Sequence, residues 1–123
     1  MTTLIDILIV EDDSLVLSMY NAAFSAFTNY SFIMAATGEE VEALLSTYSF
    51  RLGIIDIRLA GSVSGVDVGV LLHNKCPDMV LFAMTGLSCI FDNFDPAIAG
   101  FTTCFSKPIE FKNLLIAIRQ VLD

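Results

Sequence analysis

The regular alternation of short apolar runs with helical segments constrains the fold of this chain most strongly. Five runs have the length and apolarity of buried strands: IDILIV (5–10), SFIMAA (31–36), LGIIDI (52–57), MVLFAM (79–84) and TTCFS (102–106). These runs are continuously apolar instead of alternating with polar residues, which is typical of parallel strands covered by helices on both faces. The pattern therefore predicts an α/β domain with a five-stranded parallel sheet.

Five segments with helical spacing follow the five runs. They lie at 14–27, 37–47, 65–75, 87–94 and 110–123. Asp13 or Ser14 is the expected N-cap of the first helix. Pro96 predicts that the fourth helix stops or kinks near Phe94 or Asp95, because proline lacks a backbone donor. Right-handed crossovers between parallel strands then place helices on both sides of the sheet.

Composition and length indicate one domain, 1–123, with a large core. The chain has 123 residues, of which 55% are hydrophobic, and its mean hydropathy is +0.73. No apolar run approaches the roughly 18–20 residues that span a bilayer, and the N-terminus lacks the basic region of a signal peptide. The excess apolarity therefore predicts a large core together with at least one apolar contact surface.

Charge and cysteine content exclude several classes of function. The net charge is −8 with only six Lys and Arg residues, which argues against direct binding of nucleic acid. Cys76, Cys89 and Cys104 are odd in number and irregularly spaced. This spacing argues against a disulfide framework or a zinc site, and it predicts free thiols in a reducing cytoplasm.

Polar residues occur where the predicted strands end. Glu11 and Asp12 follow the first strand, Asp56 ends the third, Thr85 follows the fourth, and Lys107 follows the fifth. Because the carboxyl ends of parallel strands share one edge of the sheet, these side chains are expected to converge there. Taken singly, each has a plainer interpretation as a helix cap or a turn residue. Their occurrence at four strand ends together favours a common site.

The chemistry of these residue types indicates a site for a phosphoryl group. Carboxylates with a backbone carbonyl are hard oxygen ligands that suit Mg²⁺, and crowded carboxylates need a cation. Lys107 adds an ammonium group and Thr85 a hydroxyl donor. Asp56 is then a candidate nucleophile, since aspartyl phosphates are known covalent intermediates.

With the motifs ILIVEDD, GIIDIRL, MTG and SKP in this order, the whole chain resembles the receiver domain of two-component response regulators. The resemblance implies a flavodoxin-like, doubly wound (βα)5 sandwich with strand order 2-1-3-4-5. It implies that Asp56 accepts a phosphoryl group from the phosphohistidine of a histidine kinase or from a small phosphodonor, and later loses it by self-dephosphorylation. Because the chain ends at Asp123, directly after the last helix, we expect a receiver without an output domain, which is either a stand-alone regulator or a part of a larger regulator or hybrid kinase.

The same resemblance assigns the other site residues. Asp12, Asp56 and the backbone carbonyl of Arg58 would ligate Mg²⁺ (or Mn²⁺), and Glu11 would act through water. Lys107 would pair with a phosphoryl oxygen, with a cis peptide bond to Pro108. Thr85 would bond the phosphoryl group and draw its loop inward.

The chain departs from the family pattern at a few positions. Ala60 stands where the acceptor loop usually carries a proline, and Cys104 stands where a switch aromatic is usual. Phe105 is adjacent, but strand alternation points it to the opposite face of the sheet. Arg58 and Leu87 occupy variable positions that influence the lifetime of the phosphoryl group in the family.

Two segments carry more apolar residues than a core requires. The helix at 14–27 is apolar nearly all round, so Leu17, Phe24 and one or more of Met19, Tyr20 and Phe27 are expected on the surface. The second segment is CIFDNFDPAIAGF (89–101), which contains Ile90, Phe91, Phe94, Ile98 and Phe101. In receivers the fourth helix, fifth strand and fifth helix form the output face. These surfaces predict a homodimer, a kinase contact or an effector contact; the alternative is that most of these residues are core.

Three functions are compatible with the sequence. The first is a phosphorylation-dependent switch that acts with a histidine kinase or phosphotransfer protein and contacts neither nucleic acid nor membrane. The second is an interaction or dimerisation module that works without phosphorylation. The third is a small aspartyl-phosphate phosphatase, which is disfavoured because such enzymes commonly carry a DxD arrangement on the first strand.

Overall fold

The computed structural model describes residues 1–59, 63–86 and 100–123. Its centre is a five-stranded sheet with the order β2-β1-β3-β4-β5, in which every neighbouring pair is parallel. The strands are β1 (Thr3–Val10), β2 (Phe32–Ala35), β3 (Tyr48–Asp56), β4 (Val80–Thr85) and β5 (Phe101–Ser106). The predicted fold class and strand order are therefore confirmed.

Four helices accompany the sheet within the described residues. They are α1 (Ser14–Phe27), α2 (Gly38–Leu44), α3 (Gly65–Lys75) and α4 (Phe111–Leu122). The bounds of α1 and α3 agree with the sequence prediction, whereas α2 ends earlier than predicted. The predicted helix at 87–94, with Pro96 after it, lies outside the described residues.

Side-chain caps start three of these helices. Asp13 is the N-cap of α1 and accepts a hydrogen bond from the Leu15 amide at 2.9 Å. Ser64 and Asp67 form a reciprocal capping box at the start of α3. Such caps satisfy amide groups that have no partner inside the helix. The start of α3 is therefore held in place directly after the loop that follows β3.

Strand β3 is longer than predicted. It begins at Tyr48, where Tyr48 pairs with Thr3 and Phe50 pairs with Ile5 of the neighbouring β1. The segment 48–51 contains polar residues and lacks a continuous apolar run, so its strand character comes from the partner strand. Local pattern misses this extension because pairing is a tertiary interaction.

The core is divided by the sheet into two clusters. Val41, Val68 and Leu72 pack from α2 and α3 onto one face. Phe24 of α1 and Leu114 of α4 pack onto the other face. Helices thus cover both faces of the sheet, which explains why the strands are continuously apolar.

The burial of α1 differs from the prediction. Phe24 has no exposed surface, and Leu17 packs against the cluster beneath α1, so the prediction that these two lie on the surface is wrong. Phe24 lies among Phe32 and Phe111, with ring centroids 5.5 and 5.2 Å away. The exposed large apolar residues of α1 are Leu15, Met19 and Phe27. Only Met19 and Phe27 were among the candidates.

The second predicted surface lies partly outside the described residues. Ile90, Phe91, Phe94 and Ile98 fall in the segment that the structure does not describe. Phe101 is buried in the cluster under α2 and α3, so it belongs to the core and not to a contact surface.

The cysteines also differ from the prediction. Cys76 is a half-buried free thiol, as expected, but Cys104 is disulfide-bonded, so the prediction of a free thiol there is wrong. Spacing along the chain does not determine which sulfur atoms approach in space. Cys104 packs against the α2 and α3 cluster and Phe105 against the opposite cluster, as strand alternation predicts. Cys89 lies outside the described residues.

Within the described part of the chain, none of the helices combines the length and the apolarity that a membrane crossing requires.

Candidate functional site

The carboxyl ends of four strands meet at one edge of the sheet. Glu11 directly follows β1, Asp56 ends β3, Thr85 ends β4, and Lys107 directly follows β5. These four strands lie side by side, whereas β2 lies at the outer edge beyond β1. The structure therefore brings together residues that are separated by most of the sequence, at the place the sequence analysis predicts.

Lys107 bridges the two buried carboxylates. Its Nζ lies 2.9 Å from Oε1 of Glu11 and 3.2 Å from Oδ2 of Asp56. Its backbone amide donates to the Thr85 carbonyl at 2.7 Å, which ties the end of β5 to that of β4. The Lys107–Pro108 peptide bond is cis, as expected from the resemblance. The ammonium group is thus placed by the backbone as well as by its ion pairs.

Three carboxylates form a compact oxygen cluster. Oxygen atoms of Glu11, Asp12 and Asp56 all lie within 4.8 Å of one another. Glu11 and Asp56 are buried and Asp12 is exposed. Among the described residues, Oε2 of Glu11 has no hydrogen-bond partner although it is buried, which is costly for a carboxylate oxygen. This donor set and its unsatisfied oxygen fit a divalent cation such as Mg²⁺, which prefers carboxylate oxygens and retains several waters.

The electrostatics of the cluster agree with its need for positive charge. Burial raises the pKa of Glu11 to about 8, and the hydrogen bond that Glu11 can donate to Asp56 once it is protonated adds to the rise, while Lys107 opposes it. Burial lowers the pKa of Lys107, but the two carboxylates outweigh this and the net direction is upward. Lys107 therefore stays charged, and without a metal a proton on Glu11 relieves the remaining repulsion.

Backbone amides hold the Asp56 carboxylate and the residue that follows it. Oδ1 of Asp56 accepts a hydrogen bond from the Arg58 amide at 3.1 Å. The Gly65 amide at the start of α3 donates to the Ile57 carbonyl at 3.0 Å. A Cβ at Gly65 would collide with the Asp56 carbonyl and the Ile57 backbone. Only glycine fits here, so α3 directly positions the end of β3.

Sequence reasoning did not single out Gly65. The available signal was its place at the first position of a helix, after a serine cap and close behind a strand-end carboxylate. That signal does not tell how closely the helix approaches the strand.

The remaining predicted residues are placed as follows. Thr85 is fully buried at the end of β4, and no atom of the described residues lies within 4 Å of a Cβ built at the following Gly86. Asp13 uses its carboxylate to cap α1, which agrees with its exclusion from the acidic pair. Arg58 is exposed beside the site. Ala60 and Leu87 lie outside the described residues.

A groove that sequence reasoning missed lies beside Lys107. It has a volume of about 430 Å³ between α1 and the segment after β5, and its lining includes Met19, Tyr20 and Pro108. Burial raises the pKa of Tyr20, and the charges of Glu11 and Asp56 add to the rise. The sequence pattern alone indicates Tyr20 only as a candidate surface residue.

Comparison with known proteins agrees with the site geometry. The family model described as "Response regulator receiver domain" matches residues 7–119. The chain belongs to the response regulator receiver family. A receiver domain protein (CheY-like) from Methanospirillum hungatei has a TM-score of 0.83 to this receiver at 26% identity, covering 98% of this chain and 93% of that one. The response regulator TrrA from Thermotoga maritima has a TM-score of 0.82 at 21% identity, covering 98% of this chain and 100% of that one.

Two curated relatives are longer than this receiver. They are the heme response regulators HssR of Staphylococcus saprophyticus, 25% identical, and of Staphylococcus haemolyticus, 28% identical. Each alignment spans 115 residues, 94% of this chain and 50% of the relative. The chain therefore spans about half the length of the curated relatives that it matches.

Proposed function

We propose that this receiver is a phospho-accepting switch, in which Asp56 takes a phosphoryl group and later releases it. The observation that carries the proposal is the double ion pair of Lys107 with Glu11 and Asp56, next to the carboxylate of Asp12. A buried nucleophile, a charged ammonium group and a cluster of cation ligands are the parts that phosphoryl transfer requires.

The acidic cluster supports a role for Mg²⁺ (or Mn²⁺). Asp12, Asp56 and the backbone carbonyl of Arg58 would ligate the ion, and Glu11 would contact it through water. A bound ion would offset the negative charge that gathers on the phosphoryl oxygens during in-line transfer. TrrA of Thermotoga maritima is known as a complex with Mg²⁺ and BeF, which fits this assignment.

The proposed transfer begins with Asp56. A carboxylate oxygen of Asp56 attacks phosphorus, and the bond from phosphorus to the donor nitrogen or oxygen breaks. When the donor is a phosphohistidine, the electron pair of that bond returns to the imidazole. In self-dephosphorylation a water oxygen attacks phosphorus and the bond from phosphorus to the Asp56 oxygen breaks, which yields inorganic phosphate and restores the Asp56 carboxylate.

Lys107 and Thr85 act on the phosphoryl oxygens in this scheme. Lys107 already touches Asp56, so its ammonium group can pair with an oxygen that the phosphoryl group brings there. Thr85 ends the neighbouring strand, and its hydroxyl would donate to another phosphoryl oxygen. Both groups would stabilise the transition state, because negative charge develops on the phosphoryl oxygens that face these donors.

We also propose the partners and the setting of this switch. The donor would be a histidine kinase or phosphotransfer protein in the cytoplasm. The output would be a homodimer or an effector contact through α1, or through β5, α4 and the segment before them. Residues 1–123 would act as one receiver domain, in which neither nucleic acid nor membrane is contacted directly.

A second candidate function is an interaction or dimerisation module that works without phosphorylation. The observation that favours it is Cys104, which stands at the position of the usual switch aromatic and is disulfide-bonded. A cysteine held in this way cannot swing between two rotamers as an aromatic ring does.

Intact-mass measurement separates the two functions. The protein is incubated with acetyl phosphate or phosphoramidate, with and without Mg²⁺, alongside Asp56→Asn and the control Asp78→Asn, which changes an exposed carboxylate away from the site. The switch predicts a gain of one phosphoryl mass in the wild type and the control, only with Mg²⁺, and none in Asp56→Asn. No gain with either donor would reject the switch and favour the interaction module.

A further inference from the structure

One exposed stripe of α1 is apolar and uncharged, and we propose that it binds the same stripe of a second copy of this chain. The two helices would lie antiparallel about a twofold axis. This inference rests on the surface of α1 and does not depend on phosphoryl transfer at Asp56.

Four residues form this stripe. Leu15, Met19, Ala22 and Ala26 are all exposed, with 70% of Leu15 and 64% of Met19 accessible to solvent. They follow one another at intervals of four, three and four residues, which places them on one side of the helix. This spacing is the heptad interval of helices that wind around each other. The stripe is therefore suited to another helix.

The lack of charged side chains on α1 permits a second copy as the occupant. None of the 14 residues of α1 is Asp, Glu, Lys or Arg, whereas the whole chain has a net charge of −8. Each of the other three described helices carries charged residues. A twofold contact places a surface against itself, so charged side chains near the axis meet their like. Of the described helices, α1 is the one that avoids this repulsion.

The sizes of the side chains in the stripe also match an antiparallel copy. Its two large residues lie in the first half of α1 and its two alanines in the second half. Antiparallel pairing sets Leu15 against the partner's Ala26 and Met19 against the partner's Ala22. A large residue then faces a small one at every level, which lets the two helices interdigitate closely. The stripe is thus complementary to itself.

The contact is expected to be weak and to depend on salt. One helix face buries less than the roughly 1,200 Å² typical of stable complexes, so the dimer should form only at high protein concentration. Added salt should strengthen it, because salt screens the repulsion between two chains of charge −8. Met19 also lines the groove beside Lys107, so the second copy would cover one wall of that groove.

Sedimentation equilibrium over about 10 μM to 1 mM, a range that covers weak complexes, provides the test. The wild type should shift from monomer towards dimer as concentration and salt rise. Ala22→Glu should stay monomeric, because it puts a charge at the centre of the stripe. Asn21→Glu is the matched control: it adds the same charge at an exposed position about 100° around the helix, so it should still dimerise.

Ala22→Leu distinguishes self-pairing from general apolar adhesion. In the antiparallel pair this leucine meets the partner's Met19, and two large residues at one level should weaken the dimer at least tenfold. General adhesion would instead grow stronger with the added apolar surface. The inference is rejected if the wild type stays monomeric throughout, if Ala22→Leu associates more tightly, or if Ala22→Glu dimerises like Asn21→Glu.

Asp56→Asn keeps this test separate from the proposed function. It abolishes the proposed phosphoryl acceptor but leaves α1 unchanged, so its sedimentation should match the wild type. Failure to accept a phosphoryl group and failure to dimerise are thus observed independently.

Discussion

At the scale of single residues, the site is governed by one cation among three carboxylates. Lys107 can neutralise only part of the charge of Glu11, Asp12 and Asp56, and one buried oxygen of Glu11 has no partner in the described part of the chain. The sequence identified all four residues, because each lies at a strand end. It could not show that Glu11 is as deeply buried as the core, since burial depends on what packs above the residue.

The burial of Glu11 predicts a pH-dependent loss of stability without metal. Its pKa is raised from 4.5 in the unfolded chain to about 8 in the folded one. Glu11 is therefore protonated in both the folded and the unfolded protein below about pH 4.5, whereas above this pH it ionises more readily in the unfolded protein. In EDTA, the unfolding free energy of the wild type should fall between about pH 5 and 8 relative to Glu11→Gln, by roughly 1–3 kcal/mol. Urea unfolding of both proteins across this range measures it, and a difference that is constant with pH would contradict it.

At the scale of elements, packing between helices and the sheet decides which side chains are accessible. Phe24 and Phe27 lie three residues apart on α1, yet one is fully buried and the other is 68% exposed. The helix is apolar nearly all round, so its hydrophobic pattern does not indicate which side faces the core. Phe32, Phe111 and the strands beneath determine which side turns inward.

Alanine at these two positions should therefore have unequal effects. Phe24→Ala leaves a cavity in the core and should cost about 3–5 kcal/mol of unfolding free energy. Phe27→Ala removes a mostly exposed ring and should cost less than about 1 kcal/mol. Urea unfolding compares the two variants, and equal losses would contradict the observed orientation of α1.

Substitution of Gly65, with Gly86 as the control, tests how closely α3 approaches the end of β3. Gly65→Ala puts a methyl group into the backbone of Asp56 and Ile57 and should cost about 1–3 kcal/mol, because neither backbone can easily move. Gly86→Ala meets no atom within 4 Å in the part of the chain that the structure describes, so it is the control, with a change near zero. The midpoints of urea unfolding decide between them; similar midpoints would show that α3 yields without cost.

At the scale of the whole molecule, an ion held by the three carboxylates would couple ion binding to folding. The three carboxylates come from β1 and β3, whose ends meet only in the folded chain, so an ion held there stabilises the native state. The same argument explains why neither motif alone specifies a site: EDD is also a capping sequence, and a lone strand-end aspartate is common in turns.

Substitutions of the adjacent residues Asp12 and Asp13 distinguish ion binding from helix capping. Mg²⁺ at about 100 times its dissociation constant should stabilise the wild type by about 2.7 kcal/mol. Asp12→Ala should lose most of this gain, because it removes a proposed ligand. Asp13→Ala should lose about 1 kcal/mol of capping energy but keep the gain from Mg²⁺. Thermal unfolding with Mg²⁺ or EDTA measures both, and an equal loss of the Mg²⁺ effect in the two variants would contradict the assignment.

The sequence by itself determined the alternation of strands and helices, the parallel sheet, and the convergence of Asp56, Lys107 and their neighbours at one edge. These follow from local periodicity and from the rule that parallel strands end on the same side. Only the tertiary structure decided that Phe24 turns inward, that β3 extends back to Tyr48, and that Gly65 must lack a side chain. Each of these depends on distances between segments that are remote in sequence, and a local pattern contains no measure of such distances.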